Sequence, residues 1–518
     1  MRIATCCVPK NNGARGCGGG LRSAAFLTAL VSCSIRSSGL TRPASSRVSS
    51  DLSCAVECTV IATGAPDAEA RLRRAVSSAS RAPCVCISPG RIVIDRPLRI
   101  RHSVSVRGIQ AEIVAAFEGG PLVSVEASQV SLDGLSLRGP APAPFAQHAI
   151  AVRAVGTAAQ PLRGFSMTDC TVRSFANAGV WLEHVEGFSL RGLRISNVGY
   201  AGILANSCGQ GAIVGNVIRD VRGVPGFNRN GYGVALTRAE EPDLARAGRS
   251  HDIDVISNLV DGVPTWTAYD THGGERIAFI GNSASHCRMA LGIGASDDVA
   301  GPRWAPHDVV AAGNDFDSGM RNGDASYGIV FHGAYRGPGG LATGVVLDYA
   351  TGVILGNSLR GFGDSAYPSM GAIYAYATRG LVIVGNDVSE WSTAAVALDF
   401  HNDAAVVCGN RVSRPVRGAG ARAPAAMTLL AGHNSAVAFA NSFSSRIAND
   451  ASGAGQPTLG VWLSAANATS RNQLSMRDNR IVADVPLRDE ALTPGVPLAD
   501  LALSAFDVGP LSRWCGRR

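Results

Sequence analysis

Ile213-Val214-Gly215-Asn216 opens a phrase that returns as Val255-Ile256-Ser257-Asn258, Phe279-Ile280-Gly281-Asn282, Ile354-Leu355-Gly356-Asn357 and Ile383-Val384-Gly385-Asn386. Variants follow at Val406-Val407-Cys408-Gly409-Asn410 and Val437-Ala438-Phe439-Ala440-Asn441. A few β-formers closing on Gly-Asn, repeated every roughly 22 to 30 residues, mark a solenoid of strands and turns. Each phrase is followed by a second apolar strand, as in Tyr232-Gly233-Val234-Ala235-Leu236, Tyr327-Gly328-Ile329-Val330-Phe331 and Ala394-Ala395-Val396-Ala397-Leu398. This pattern predicts an all-β chain wound as a single-stranded right-handed parallel β-helix, with the recurring asparagines stacked in an internal ladder.

Composition agrees. The 518 residues include 61 glycines and only 17% charged side chains, which suits strands and tight turns better than amphipathic helices. A formal charge of +7 with no basic run interleaved with aromatics argues against nucleic acid as a partner, and an acidic polysaccharide fits the mild positive balance better. Lys10 is the single lysine, so arginine carries the basic chemistry, and its planar fork suits carboxylates. Oligomeric state is not legible.

Residues 1–33 read as an export signal: a basic stretch ending at Arg22 precedes the apolar segment 23–31, which is too short to span a membrane. Leu30-Val31-Ser32-Cys33 resembles a bacterial lipobox, which implies lipidation of Cys33, a periplasmic or outer-membrane lipoprotein, and membrane contact only through that anchor. A plain signal peptide leading to secretion is the alternative. A Ser-rich tether at 34–60 leads into one β-helix domain at 61–518 with an irregular carboxy-terminal cap. Asp67 caps a short helix, AEARLRRAV, which is expected to plug the amino end of the solenoid. The stretch 140–165, with its PAPAP, reads as an excursion, and regular coils are expected over about 165–480. Cys54, Cys58, Cys84 and Cys86 crowd at the start of the domain, where disulfides are the first expectation, free thiols the second and a metal site the third.

In this architecture the strand after each asparagine bend and loop lies in the first sheet, whose outer face is where chemistry is sought. Inward pairs are Val180/Leu182, Ile203/Ala205, Val234/Leu236, Tyr269/Thr271, Leu291/Ile293, Ile329/Phe331, Ile373/Ala375 and Val396/Leu398. The outward column then reads Trp181/Glu183, Leu204/Asn206, Ala235/Thr237, Asp270/His272, Gly292/Gly294, Val330/His332, Tyr374/Tyr376 and Ala397/Asp399, with His401 following. Its centre is an expected open trough. His272 faces His332 across about 10 Å, two strand spacings, with Gly292 and Gly294 as the floor on which a sugar ring fits. Tyr374 and Tyr376 offer stacking surfaces, Asp399 and His401 extend the groove, and Arg276, Arg288, Arg321 or Arg336 can hold a substrate carboxylate. Asp297-Asp298 reads as a solvated turn rather than a metal site.

The domain resembles the pectate-lyase-like superfamily of parallel β-helices over about 400 residues. Tyr269-Asp270-Thr271-His272 followed by Arg276-Ile277-Ala278-Phe279-Ile280-Gly281-Asn282 is similar to the Tyr-Gly-x-Asp-Pro-His segment of mannuronan C5-epimerases and related alginate-active enzymes. The resemblance implies Asp270 and His272 as a catalytic pair, and many lyases of the fold use calcium. Thr267-Ala268 stands where the family has Tyr-Gly, Thr271 replaces the proline, and the family's tyrosine acid/base is missing from its place. Tyr376, Tyr374 and Tyr327 are the candidates to substitute for it.

Lyases and C5-epimerases both take the proton beside a uronate carboxylate, which needs a base, a cation on that carboxylate and an acid. A neutral His272 oriented by Asp270 suits the base, with His332 and Tyr376 as further catalytic candidates. Hydrolysis needs two carboxyls about 5 to 10 Å apart, whereas Asp270 and Asp399 are separated by roughly 19 Å, four coils. The expected order is therefore β-elimination on an acidic polysaccharide, then hydrolysis, then epimerisation. A non-catalytic sugar-binding or structural solenoid is the reading from another class.

Overall fold

The computed structural model describes residues 58–77, 84–140, 149–223, 230–239, 248–296, 304–319, 326–336, 345–363, 371–416, 424–447, 457–464 and 471–490, all of which fall in one compact unit. The short strands predicted by alternation form three parallel sheets, because each strand pairs with its equivalent one coil later. Ala178–Glu183 pairs with Ala201–Asn206, Ser189–Arg191 with Gly209–Val214, and Arg194–Val198 with Val217–Val221. The result is a right-handed parallel β-helix with one helix among the described residues. That helix, Ala68–Ser77, turns Ala68, Leu72 and Val76 inward as the plug at the amino end. It is neither long nor apolar enough to cross a membrane.

Register in the first sheet follows the inward apolar residues: Val180, Ile203, Val234, Tyr269, Leu291, Ile329, Ile373 and Val396 pair in succession, and all are fully buried. Side chains alternate on a strand, so this register sends Asp270, His272, His332, Tyr374 and Tyr376 to the outer face.

The recurring asparagines form a continuous ladder. Nδ2 of Asn216 donates to Oδ1 of Asn258 at 2.9 Å, and the chain of bonds continues through Asn282, Asn314, Asn357, Asn386, Asn410 and Asn441 to Asn479. Each Nδ2 also donates to a carbonyl of the preceding coil, as Asn314 does to Phe279 at 3.0 Å. The residue before each asparagine is left-handed, with φ of 65° at Gly215 and 61° at Gly281, which explains the Gly-Asn phrase. Ser257 and Ala440 adopt the same conformation without being glycine. Asn314 and Asn479 are rungs of this ladder outside the recurring phrases, and Asn402–Asn434–Asn472 forms a shorter second ladder.

Three boundaries differ from expectation. Coils begin at Cys58–Ile61, inside the expected tether, and continue to Val485–Asp489. The expected excursion at 140–165 contains a first-sheet strand, Ile150–Val155, that pairs with both Pro121–Val125 and Ala178–Glu183, because its apolar alternation outweighs the flanking prolines. Cys58 and Cys84 form a disulfide between the first two coils. Cys33 and Cys54 lie outside the described residues.

Candidate active site

Strand Leu259–His272 runs out of the third sheet and into the first. Its inward anchor is Tyr269, fully buried, whose single hydroxyl proton is shared between the carbonyls of Asn258 at 2.8 Å and Ser283 at 2.9 Å. Burial pushes that phenol well above its ordinary pKa, so it stays a neutral donor and locks the strand. On the other face, Oδ1 of Asp270 lies 3.2 Å from Nε2 of His272, with side-chain exposures of 4% and 31%. The buried Asp270 carboxyl thus stands beside the Nε2 edge of the ring, and Nδ1 is the ring nitrogen that does not face it. Gly292 lies beside Asp270, where an added Cβ would come 3.3 Å from Oδ1.

His332, two coils on, does not face His272 across an empty floor. A Cβ built on Gly294 would lie 2.4 Å from Nε2 of His332, so the imidazole itself leans over that glycine and fills the expected sugar gap. The ring stacks on Tyr376 with centroids 4.4 Å apart and planes 8° from parallel. Its Nδ1 is 3.1 Å from the Gly333 carbonyl and 3.5 Å from the Ala295 amide. These contacts demand opposite tautomers, and the shorter one assigns the proton to Nδ1 and the lone pair to Nε2.

The rest of the expected trough is covered. Tyr374 is 1% exposed and donates its hydroxyl to Oδ2 of Asp399 at 3.2 Å, so it is no stacking surface. It packs with Met289, Tyr327, Val330 and Ala397 in an apolar cluster on the outer face, separate from the core, because those outward positions are apolar. Asp399 is buried, accepts the Ala431 amide at 3.0 Å, and is pushed up to about 7 by burial. His401 sits in a left-handed turn after the strand, with its ring 5.6 Å from that of His433, rather than on the outer column.

The arginines separate as well. Arg276 belongs to the second sheet, where it pairs with both oxygens of Asp252 and with Glu275, and it holds the Asp252 carboxyl down at about 2. Arg288 stands 5.4 Å over the Trp266 ring. Arg336 is exposed on an antiparallel hairpin, Ala334–Arg336 with Val345–Asp348, inserted directly after the His332 strand. Arg321, Asp297 and Asp298 lie outside the described residues.

That hairpin carries side chains the sequence reading did not single out. Tyr335 meets Tyr376 edge-on at 6.0 Å. Asp348 accepts the Ala305 amide at 2.8 Å and lies 3.1 Å from Nε2 of His307 and 3.6 Å from Nη2 of Arg249. The hydrogen bond from His307 and the Arg249 charge keep its carboxyl below the usual range against the opposing effect of burial. The aromatic in His332-Gly333-Ala334-Tyr335 was a usable signal, whereas nothing local marks Asp348.

No family model matches this chain, and no curated protein matches its sequence. Among solved structures it is similar to the A-module of an Azotobacter vinelandii mannuronan C-5 epimerase, at 15% identity and TM-score 0.48 over 71% of this chain and 94% of that one. It is also similar to a double-mutant tailspike protein of E. coli bacteriophage HK620, at 13% identity and TM-score 0.49 over 79% of this chain and 74% of that one. The catalytic domain of a GH87 alpha-1,3-glucanase gives 13% identity and TM-score 0.46 over 84% and 68%. Likenesses this distant carry no inference about the chemistry of this chain.

Proposed function

We propose that this chain is a carbohydrate-active enzyme that cleaves an acidic, uronate-containing polysaccharide by β-elimination, with His272 as the base. The observation that carries the reading is the Asp270–His272 pair, an outward histidine whose Nε2 lies 3.2 Å from a buried carboxylate. With the Asp270 carboxyl beside Nε2, Nδ1 is the nitrogen assigned as the base. Nδ1 takes the proton beside the uronate carboxylate as the bond to the leaving oxygen breaks, and the Tyr376 phenol, stacked on His332, returns a proton to that oxygen. Arg336, exposed on the hairpin beside Tyr335, is the arginine we assign to the substrate carboxylate.

Export behind the segment 1–33, with Cys33 as the lipid anchor, belongs to the same proposal and is supported by sequence alone. Incubation of purified protein with uronate polysaccharides tests the reaction. Rising ultraviolet absorbance from unsaturated uronate supports elimination. New reducing ends without it indicate hydrolysis, and binding without either product indicates a sugar-binding solenoid.

A further inference from the structure

Three sulfurs meet at the amino end of the β-helix. Cys58 and Cys84 sit opposite one another on paired strands and are joined as a disulfide. Cys86, two residues further along the second strand, keeps its Sγ 3.8 Å from that of Cys84, and the three sulfurs lie within 4.8 Å of one another. Cys84 is buried, while Cys58 and Cys86 are partly exposed, so the cluster opens toward solvent. Elsewhere, burial pushes Cys170, Cys208 and Cys287 up to about 12, which keeps those thiols protonated.

Cys58 and Cys84 supply the cross-link between the two coils, and the Cys86 sulfur lies beside it. Around a soft ion with metal–sulfur bonds of about 2.3 Å, ligand sulfurs stand about 3.8 Å apart in a tetrahedral site and about 4.0 Å apart in a trigonal one. The Cys84–Cys86 separation of 3.8 Å already has that value, and the strand register fixes both Cα positions. Three thiolates without a histidine favour a monovalent thiophilic ion over hard cations.

We propose that, once the Cys58–Cys84 bond is reduced, Cys58, Cys84 and Cys86 bind one thiophilic d10 ion, with copper(I) as the best fit. A phosphine or dithiol supplies the two electrons that convert the disulfide to two thiols. The ion then replaces three thiol protons, which pass to solvent. Cross-link and metal are thus alternative occupants of one locus, and the inference is independent of any activity on polysaccharide.

The test uses the full chain, reduced with a phosphine under anaerobic conditions and titrated with copper(I) against bicinchoninate. Wild type is expected to take up one more tightly held equivalent than each of the variants Cys58→Ser, Cys84→Ser and Cys86→Ser. The oxidised wild type is expected to lack that equivalent. Cys86→Ser decides the matter if either of the other variants fails to fold, because Cys86 is outside the disulfide and its removal leaves the cross-link in place. Unchanged stoichiometry and affinity in Cys86→Ser, with retained β circular dichroism, would overturn the proposal.

Discussion

The imidazole of His332 lies flat against the phenol of Tyr376, one coil on, with centroids 4.4 Å apart. The stack leans over Gly294, so the three residues behave as one device. In Gly294→Ala the new methyl must displace the far end of the His332 ring, which can move without unfolding the coil. Turnover on the preferred uronate polymer should fall at least tenfold while the melting temperature shifts by only a few degrees. Activity equal to wild type would separate His332 from the chemistry.

His272→Ala should abolish turnover and leave the fold intact, as judged by circular dichroism. Asp270→Asn keeps the shape of the pair but replaces the carboxyl beside the imidazole, and is expected to cost about 10²- to 10⁴-fold in kcat. Full activity in His272→Ala would refute the assigned base.

Asp399 predicts a pH effect on stability. Burial raises its folded pKa to about 7, so the folded state holds a proton that the unfolded chain gives up at ordinary carboxylate pH. The stabilisation this provides is complete below about pH 4 and disappears as pH rises through 7. Relative to Asp399→Asn, wild type should therefore lose stability between pH 4 and 7 in chemical denaturation. Parallel profiles for the two proteins would remove Asp399 as the cause.

Asn314→Ala breaks the ladder at its middle. It removes the acceptor of the Asn282 amide and of one of the two Asn282 side-chain N–H bonds, and the side-chain donor to the Phe279 carbonyl, all buried. With unmet buried polar groups costing about 1–3 kcal/mol each, a loss of about 3 kcal/mol or more is expected in urea titration. Hydrogen exchange should rise first in the adjoining coils, because each coil leans only on its neighbours.

The coils were legible because two periods coincide, strand alternation and the left-handed residue before each asparagine. That was enough to place Tyr269 inward and Asp270 outward. Burial of the outer face was not legible: outward position says where Tyr374 points, not that Met289, Tyr327 and Val330 pack around it. Arg276 was misassigned because proximity in sequence to His272 conceals a change of sheet, where Asp252 waits one coil earlier. The hairpin with Tyr335 and Asp348 escaped because antiparallel pairing follows neither period.

The corner that carries the asparagine ladder accepts no extra residues. From Ile256/Leu259 to Arg477/Arg480, two residues always separate a second-sheet strand from the third-sheet strand that follows. All the long connections, such as those from Val221 to Tyr232 and from His332 to Gly352, border the first sheet instead. One seam is therefore frozen by its own bonding, while the opposite side is free to lengthen, shorten and change sequence. Such a chain can acquire new surfaces around His272 and His332 without renegotiating the spine that holds them.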